Sequence, residues 1–227
     1  MDRALKICYA FIDFDSSNKD FISSSSLRGF FGNNFIDDVE FHHHIENSFF
    51  YNYPLIQYKR IGDRLVVLGI EKYSQIIFNK ISQIDYITNG YGKRIKINNI
   101  ELKTRKFCIV QMDITTTTYK FQSPWLALNS ENFKKFISSS LPKKSFLENI
   151  LIGNILSMLK GLKIFIDFKL SIIIKDIIPA PILLNNNSFL AFKATFSANI
   201  LLPEYIGLGK SVSKGFGTLF DSTTKTK

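Results

Sequence analysis

Apolar and polar positions along the first half of the chain change period in a regular order. Residues 3–14 are rich in apolar and aromatic side chains and predict a first strand. Ser23 to Ser26 supply N-cap candidates for a short helix over 27–32. Two β-like runs, 53–61 and 65–70, flank Gly62-Asp63, a hairpin signal, and residues 71–81 then carry helical spacing through Tyr73, Ile76, Ile77 and Ile81. A further strand is expected over 95–110, interrupted at Asn98-Asn99. The predicted order is βαββαβ.

The same order returns less completely in the second half. Residues 112–119, continuing to 125, are strand-like. The clearest helix of the chain spans 144–162, with Phe146, Leu147, Ile150, Leu151, Ile155 and Leu159 on one apolar stripe, Pro142 near its start and Gly161 near its end. Strands are expected over 164–178 and 189–202, and a glycine-bearing loop leads into 216–220. Only a short helix fits around 203–206, so the second copy is predicted to be degenerate. The expected class is α+β: two tandem ferredoxin-like (RRM-like) domains, antiparallel sheets with helices on one face, over 1–112 and 113–227.

Composition narrows the partners. The chain has 227 residues, of which 45% are hydrophobic, and its mean hydropathy is +0.05, which is ample for a core and excludes global disorder. Lys and Arg exceed Asp and Glu by 29 to 19, a formal +10, a surplus that attracts nucleic acid or an anionic membrane face. Membrane insertion is not expected, because the best stretch, 162–184, is broken by Lys163, Asp167, Lys169, Lys175 and Asp176. The N-terminus lacks the charged-then-apolar build of a secretion signal, which places the protein in the cytoplasm. Cys8 and Cys108 lie in apolar runs and are expected as buried thiols rather than a disulfide.

Two segments carry candidate chemistry. Gly207, Gly209, Gly215 and Gly217 stand among Lys210, Ser211, Ser213 and Lys214. Glycine admits positive φ and close approach to backbone N–H groups, and the neighbouring lysines and hydroxyls suit a phosphate-bearing ligand. Dinucleotide and Walker A spacings both fail, at Val212 and at Glu204, so no nucleotide cofactor is expected. A plain glycine-rich turn before a last strand is the alternative.

All three histidines are consecutive, His42, His43 and His44. In extended chain His42 and His44 share a face and could serve as an acid–base pair near neutral pH. A surface cluster without function and a metal site completed by Asp37, Asp38, Glu40 or Glu46 are the other readings, although no cysteine or fourth histidine stands nearby to complete a zinc set. As acid and base, the pair could cleave RNA without metal. Lys59 or Arg60 would then supply a cation, and Tyr51 or Tyr53 would orient phosphate.

Taken together, Leu27-Arg28-Gly29-Phe30-Phe31, Phe41-His42-His43-His44 and Tyr53-Pro54-Leu55-Ile56-Gln57-Tyr58-Lys59 resemble the N-terminal half of the CRISPR-associated repeat-processing endoribonucleases of the RAMP superfamily, in the branch accompanying type I-B systems. Ser123-Pro124-Trp125-Leu126-Ala127-Leu128-Asn129, Leu151-Ile152-Gly153-Asn154-Ile155-Leu156 and the glycine loop resemble its C-terminal half. The resemblance implies two ferredoxin-like domains and a metal-independent cut within CRISPR repeats that leaves a 5'-hydroxyl and a 2',3'-cyclic or 3'-phosphate. It implies His42 and His44 as catalytic, with Tyr51 and Lys59 as further catalytic candidates. Arg28, Gly207, Gly209, Lys210, Ser211, Lys214, Gly215 and Gly217 become RNA-binding candidates. CRISPR repeat RNA is the expected partner, with type I effector subunits and a second copy of the chain as further candidates. A non-catalytic RNA-binding scaffold of a CRISPR complex is the alternative.

Overall fold

The computed structural model describes residues 4–15, 17–18, 22–35, 53–184 and 186–223. The chain divides into two compact units, one of Leu5–Phe107 with Ser213–Gly215, the other built mainly on Cys108–Val212 with the segment from Phe216 onward. Among the described residues no helix is long and apolar enough to cross a membrane.

The N-terminal unit carries β1 (Ala4–Phe14), α1 (Ser24–Asn34), β2 (Ile56–Ile61), β3 (Arg64–Ile70), α2 (Lys72–Ile81), β4 (Tyr86–Thr88) and β5 (Arg94–Cys108) in one sheet of order β2-β3-β1-β5-β4. β1 and β2 both pair antiparallel with β3, and Gly62-Asp63 makes the tight turn that sets Ile61 opposite Arg64. The α1 start follows its sequence signal: the Ser23 hydroxyl accepts from the Ser26 N–H at 3.1 Å, satisfying one of the donors a helix start leaves open. Leu27, Phe30 and Phe31 of α1 and Ile77 and Ile81 of α2 pack on Cys8, Ala10, Ile12, Leu65 and Val67. β5 runs unbroken across Asn98-Asn99, so the expected interruption does not occur.

The C-terminal unit holds β6 (Thr118–Phe121), α3 (Ser130–Ser138), α4 (Lys143–Gly161), β7 (Ile172–Pro179), β8 (Ile182–Leu184), β9 (Asn187–Phe189), β10 (Phe192–Ala198) and β11 (Leu219–Asp221). The main sheet has the order β11-β6-β10-β7, and β8 and β9 form a separate hairpin. The apolar stripe of α4 is buried through Leu147, Leu151, Ile155, Met158 and Leu159.

Several expected strands shrink, three of them the first, second and third strands of the C-terminal unit's main sheet. Residues 112–117 turn because the Asp113 carboxylate accepts from the Thr115 N–H and hydroxyl, leaving strand only from Thr118. Residues 164–171 find no ladder, because β10 ends where Ala198 meets Ile172 and the Asn199 side chain then bonds the Ser171 N–H and the Lys169 carbonyl. Phe165 is consequently 97% exposed. β10 likewise stops at Ala198, short of residue 202. α3 is an addition that the patterning missed, although Asn129 caps it by accepting from the Asn132 N–H at 2.6 Å. Cys8 is buried, and burial raises its thiol pKa, whereas Cys108 is exposed at the end of β5, correcting the expectation of two buried thiols.

Candidate nucleic-acid interface and catalytic segment

Between β10 and β11 the predicted short helix is absent. The chain there makes one turn of 3₁₀ helix at Val212–Lys214, and its backbone bonds go elsewhere. Gly217 donates to the Pro124 carbonyl at 3.0 Å, Lys210 to the Leu126 carbonyl at 3.0 Å, and Leu208 to the Gly217 carbonyl at 2.9 Å. The Ser123 hydroxyl accepts from Thr218 N–H at 2.9 Å. The segment from Ser123 to Leu126 is therefore the template on which the loop is laid. Its Trp125 stacks on Phe121 with ring centroids 5.2 Å apart and donates from the indole to Asn154 of α4 at 2.9 Å. The three C-terminal motifs of the sequence thus meet in one structure.

The geometry explains three of the glycines: at Gly209, φ +92°, a Cβ would fall 2.8 Å from the Leu126 carbonyl, and two others are as constrained. Gly217 sits at φ +61°, and a Cβ there would run into the Leu208 carbonyl. Gly215, at φ +93°, belongs with the N-terminal unit, where a Cβ would fall 2.8 Å from the Ser24 Cβ and 2.9 Å from the Tyr58 carbonyl. Beside it the Ser24 hydroxyl donates to the Lys214 carbonyl at 2.9 Å. Gly207, Gly215 and Gly217 are all buried, Gly209, Ser211 and Lys214 are half-buried, and Lys210 is exposed. The picture of N–H groups open to phosphate is thereby corrected at Lys210 and Gly217, whose N–H groups are spent on internal carbonyls. The cationic side chains remain.

On β2 the two faces differ. Tyr58 packs against Phe31 at 5.6 Å between centroids, and burial drives its hydroxyl pKa upward. Gln57 points to the opposite face and donates to the Tyr53 hydroxyl at 2.9 Å and to the Pro54 carbonyl at 3.0 Å. Lys59 shares the Gln57 side by the period of two. Its side chain is wholly buried, and desolvation brings its pKa down to about 7, so at neutral pH it is no permanent cation. Arg60 donates to the Ile22 carbonyl at 2.9 Å. Arg28 is half-buried on α1.

His42, His43, His44 and Tyr51 lie outside the described residues, and so do Asp37, Asp38, Glu40 and Glu46.

A family model described as the Cas6b N-terminal domain matches residues 5–108, and one described as the Cas6b C-terminal domain matches residues 111–222. The chain belongs to the Cas6b family. A crystal structure of Cas6b superposes with a TM-score of 0.83 at 29% identity, covering 96% of this chain and 99% of that one. A second, of the CRISPR RNA processing endoribonuclease Cas6b, gives 0.71 at 27% identity over 95% and 99% of the two chains. A Cas6-related protein from Pyrococcus furiosus shares the fold at a TM-score of 0.57 and 11% identity, over 98% and 100%. An uncharacterized protein of Methanocaldococcus jannaschii, MJ0978, is 34% identical over 142 residues, which cover 62% of this chain and 89% of that protein. The Cas6b fold is that of two ferredoxin-like domains, and this chain has it in both units.

Proposed function

We infer that the protein is a metal-independent endoribonuclease that cuts CRISPR precursor RNA within its repeats. Membership of the Cas6b family over both halves of the chain carries this reading, and the Cas6b of one solved structure is itself a CRISPR RNA processing endoribonuclease. Charge supports it: a formal +10 favours a polyanionic partner. In the proposed reaction one imidazole of His42 and His44 removes the 2'-hydroxyl proton, the 2'-oxygen attacks the adjacent phosphorus, and the bond to the 5'-oxygen breaks as the other imidazole protonates it. The products are a 2',3'-cyclic phosphate, open to hydrolysis to a 3'-phosphate, and a 5'-hydroxyl. Tyr51 orients the phosphate. Lys59 is the further catalytic candidate, as a desolvated amine rather than a fixed cation. Lys210, Lys214, Ser211 and Arg28 hold the RNA backbone, together with Gly209; Gly207, Gly215 and Gly217 shape the loop that presents them. The domains divide near residue 112, the enzyme works in the cytoplasm, and effector subunits or a second copy are its candidate protein partners.

Purified protein and repeat RNA in EDTA should yield one cut, and His42→Ala or His44→Ala should slow it by roughly 10²-fold or more. Loss of cleavage on chelation, or full activity in both variants, overturns the mechanism. A wild type that binds the repeat without cutting it leaves the scaffold reading.

A further inference from the structure

A cavity of about 600 Å³ opens in the N-terminal unit between α1 and the turn joining β4 to β5, and its lining includes neither the histidines nor the glycine loop's residues among those described. Its volume lies within the range of small-molecule and cofactor sites, roughly 300–1,000 Å³. One wall is a face of α1 on which Ser25, Gly29 and Asn33 recur at four-residue spacing, and the other is Thr88 with Gly90 and Gly92. Phe30 forms part of the lining, held edge-on to Tyr86 with centroids 5.9 Å apart. Among the described residues that line it, none is charged.

The glycines here differ in kind from those of the C-terminal loop. A Cβ at Gly29 or at Gly90 would meet nothing within 4 Å, and neither residue has positive φ. Glycine within a helix costs about 0.5–1 kcal/mol relative to alanine, and at Gly29 no close packing repays it. Both glycines line the cavity with open space beside them. The turn is braced from within: the Asn89 side-chain oxygen accepts from the Tyr91 and Lys93 N–H groups at 3.0 and 2.9 Å. Tyr91 stands in this turn between the lining residues Gly90 and Gly92 and is 94% exposed. Beyond it stand two cations, Lys93 and Arg94, the latter 4.5 Å from the Tyr86 ring centroid.

Neutral hydroxyl and amide groups in a concave site, an exposed aromatic beside it and cations just outside are the elements of recognition for an unpaired nucleobase: edges read by hydrogen bonds, a face stacked, phosphates neutralised outside. We propose that the cavity between α1 and the β4–β5 turn is a subsite for one unpaired nucleoside of the bound RNA, with Tyr91 stacking on the base and Ser25, Asn33 and Thr88 reading its edge. This rests on the RNA-processing reading and adds to it a contact with single-stranded RNA that neither the histidine segment nor the glycine loop provides.

The test uses the full chain with fluorescent oligouridine, oligoadenosine and oligocytidine of about eight nucleotides, a length of the order single-strand sites occupy. Tyr91→Ala removes the stacking ring, and Gly29→Leu fills the cavity from a helix position with free space and improved helix propensity. Each variant should bind at least one of the three oligomers about tenfold more weakly than wild type, the scale of losing one base–aromatic stack. Crosslinking of a 4-thiouridine oligomer should mark the peptide containing Tyr91. Affinities within twofold of wild type for all three oligomers in both variants, at unchanged melting temperature, overturn the proposal. So does tight binding of free mononucleotides with no effect of either variant on RNA. Wild-type cleavage of repeat RNA is measured alongside: a wild type that cuts while the variants bind normally removes only the subsite, whereas a wild type that binds no RNA removes the RNA-processing reading with it.

Discussion

The two units are built on the same sheet and closed in different ways. In the N-terminal unit the strands run β2-β3-β1-β5, with β4 added outside β5, and in the C-terminal unit the equivalent strands run β7-β10-β6-β11. Each therefore places its first and third strands in the middle and its second and fourth outside. In the first unit α2 connects the third strand to the next, and its own backbone bonds satisfy it. In the second unit the connection from β10 to β11 contains no α-helix, and its N–H groups are spent singly: Lys210 and Gly217 donate to the carbonyls of Leu126 and Pro124, while Leu208 donates to Gly217 and Tyr205 to Leu219. A chain laid that closely on another backbone has no room for Cβ atoms at several points. Much of the glycine in this loop follows from a missing helix, before any ligand is considered.

Replacing the loop's most constrained glycine should break that comparison most severely. Gly217→Ala combines positive-φ strain with a clash against the Leu208 carbonyl and should destabilise the protein by about 3 kcal/mol, read by calorimetry. Gly153→Ala, in the interior of α4 with open space around it, should instead stabilise by about 0.5–1 kcal/mol. If the two substitutions cost the same, the loop is not held as described.

A second measurement sharpens the N-terminal side. Lys59 has a folded pKa of about 7 against an ordinary 10.5, so between those values the unfolded chain binds the proton and the folded one does not. Stability should accordingly rise with pH across that window, and below pH 7 both states are protonated and the full cost of the buried charge is present. Lys59→Met should flatten the rise in denaturant titrations. An identical slope in the variant would mean that the amine keeps its charge when buried.

The smallest expected effect concerns Lys210. It is exposed on the loop, and its alanine variant should reduce the slope of log affinity for repeat RNA against log salt by about one, with little change in melting. An unchanged slope takes Lys210 off the RNA.

Much of this was legible in the residues. Continuous apolar runs located β1 and β3, and helical spacing α2 and α4, to within one or two positions, because the two strands are buried on both faces and each helix buries one apolar stripe. One strand that shrank was governed by a partner far away in sequence: residues 164–171 alternate well enough, but β10 ends before it can pair with them. α3 escaped because only Phe136 of its residues is buried, leaving Asn129 as its main signal. For the site, residue types pointed to acid–base chemistry at His42 and His44 and to a cationic loop. Burial was not readable there. Nothing in the local sequence of Lys59 distinguishes a surface amine from one without exposed surface, since both faces of a strand are covered or bare according to what packs on them.

By itself the chain's order of apolar and polar residues determined two repeats of one α+β plan, a basic balance and the motifs of the Cas6b family, because these depend on local spacing and composition. Tertiary structure alone decided that the glycine loop lies on the Ser123–Leu126 backbone, that three of its four glycines are buried, that Lys59 is desolvated, and that α1 and the β4–β5 turn line a cavity with no charged residue among the described ones. Each of those depends on which backbone lies within a few ångströms of another across long stretches of sequence, and no local pattern encodes that distance.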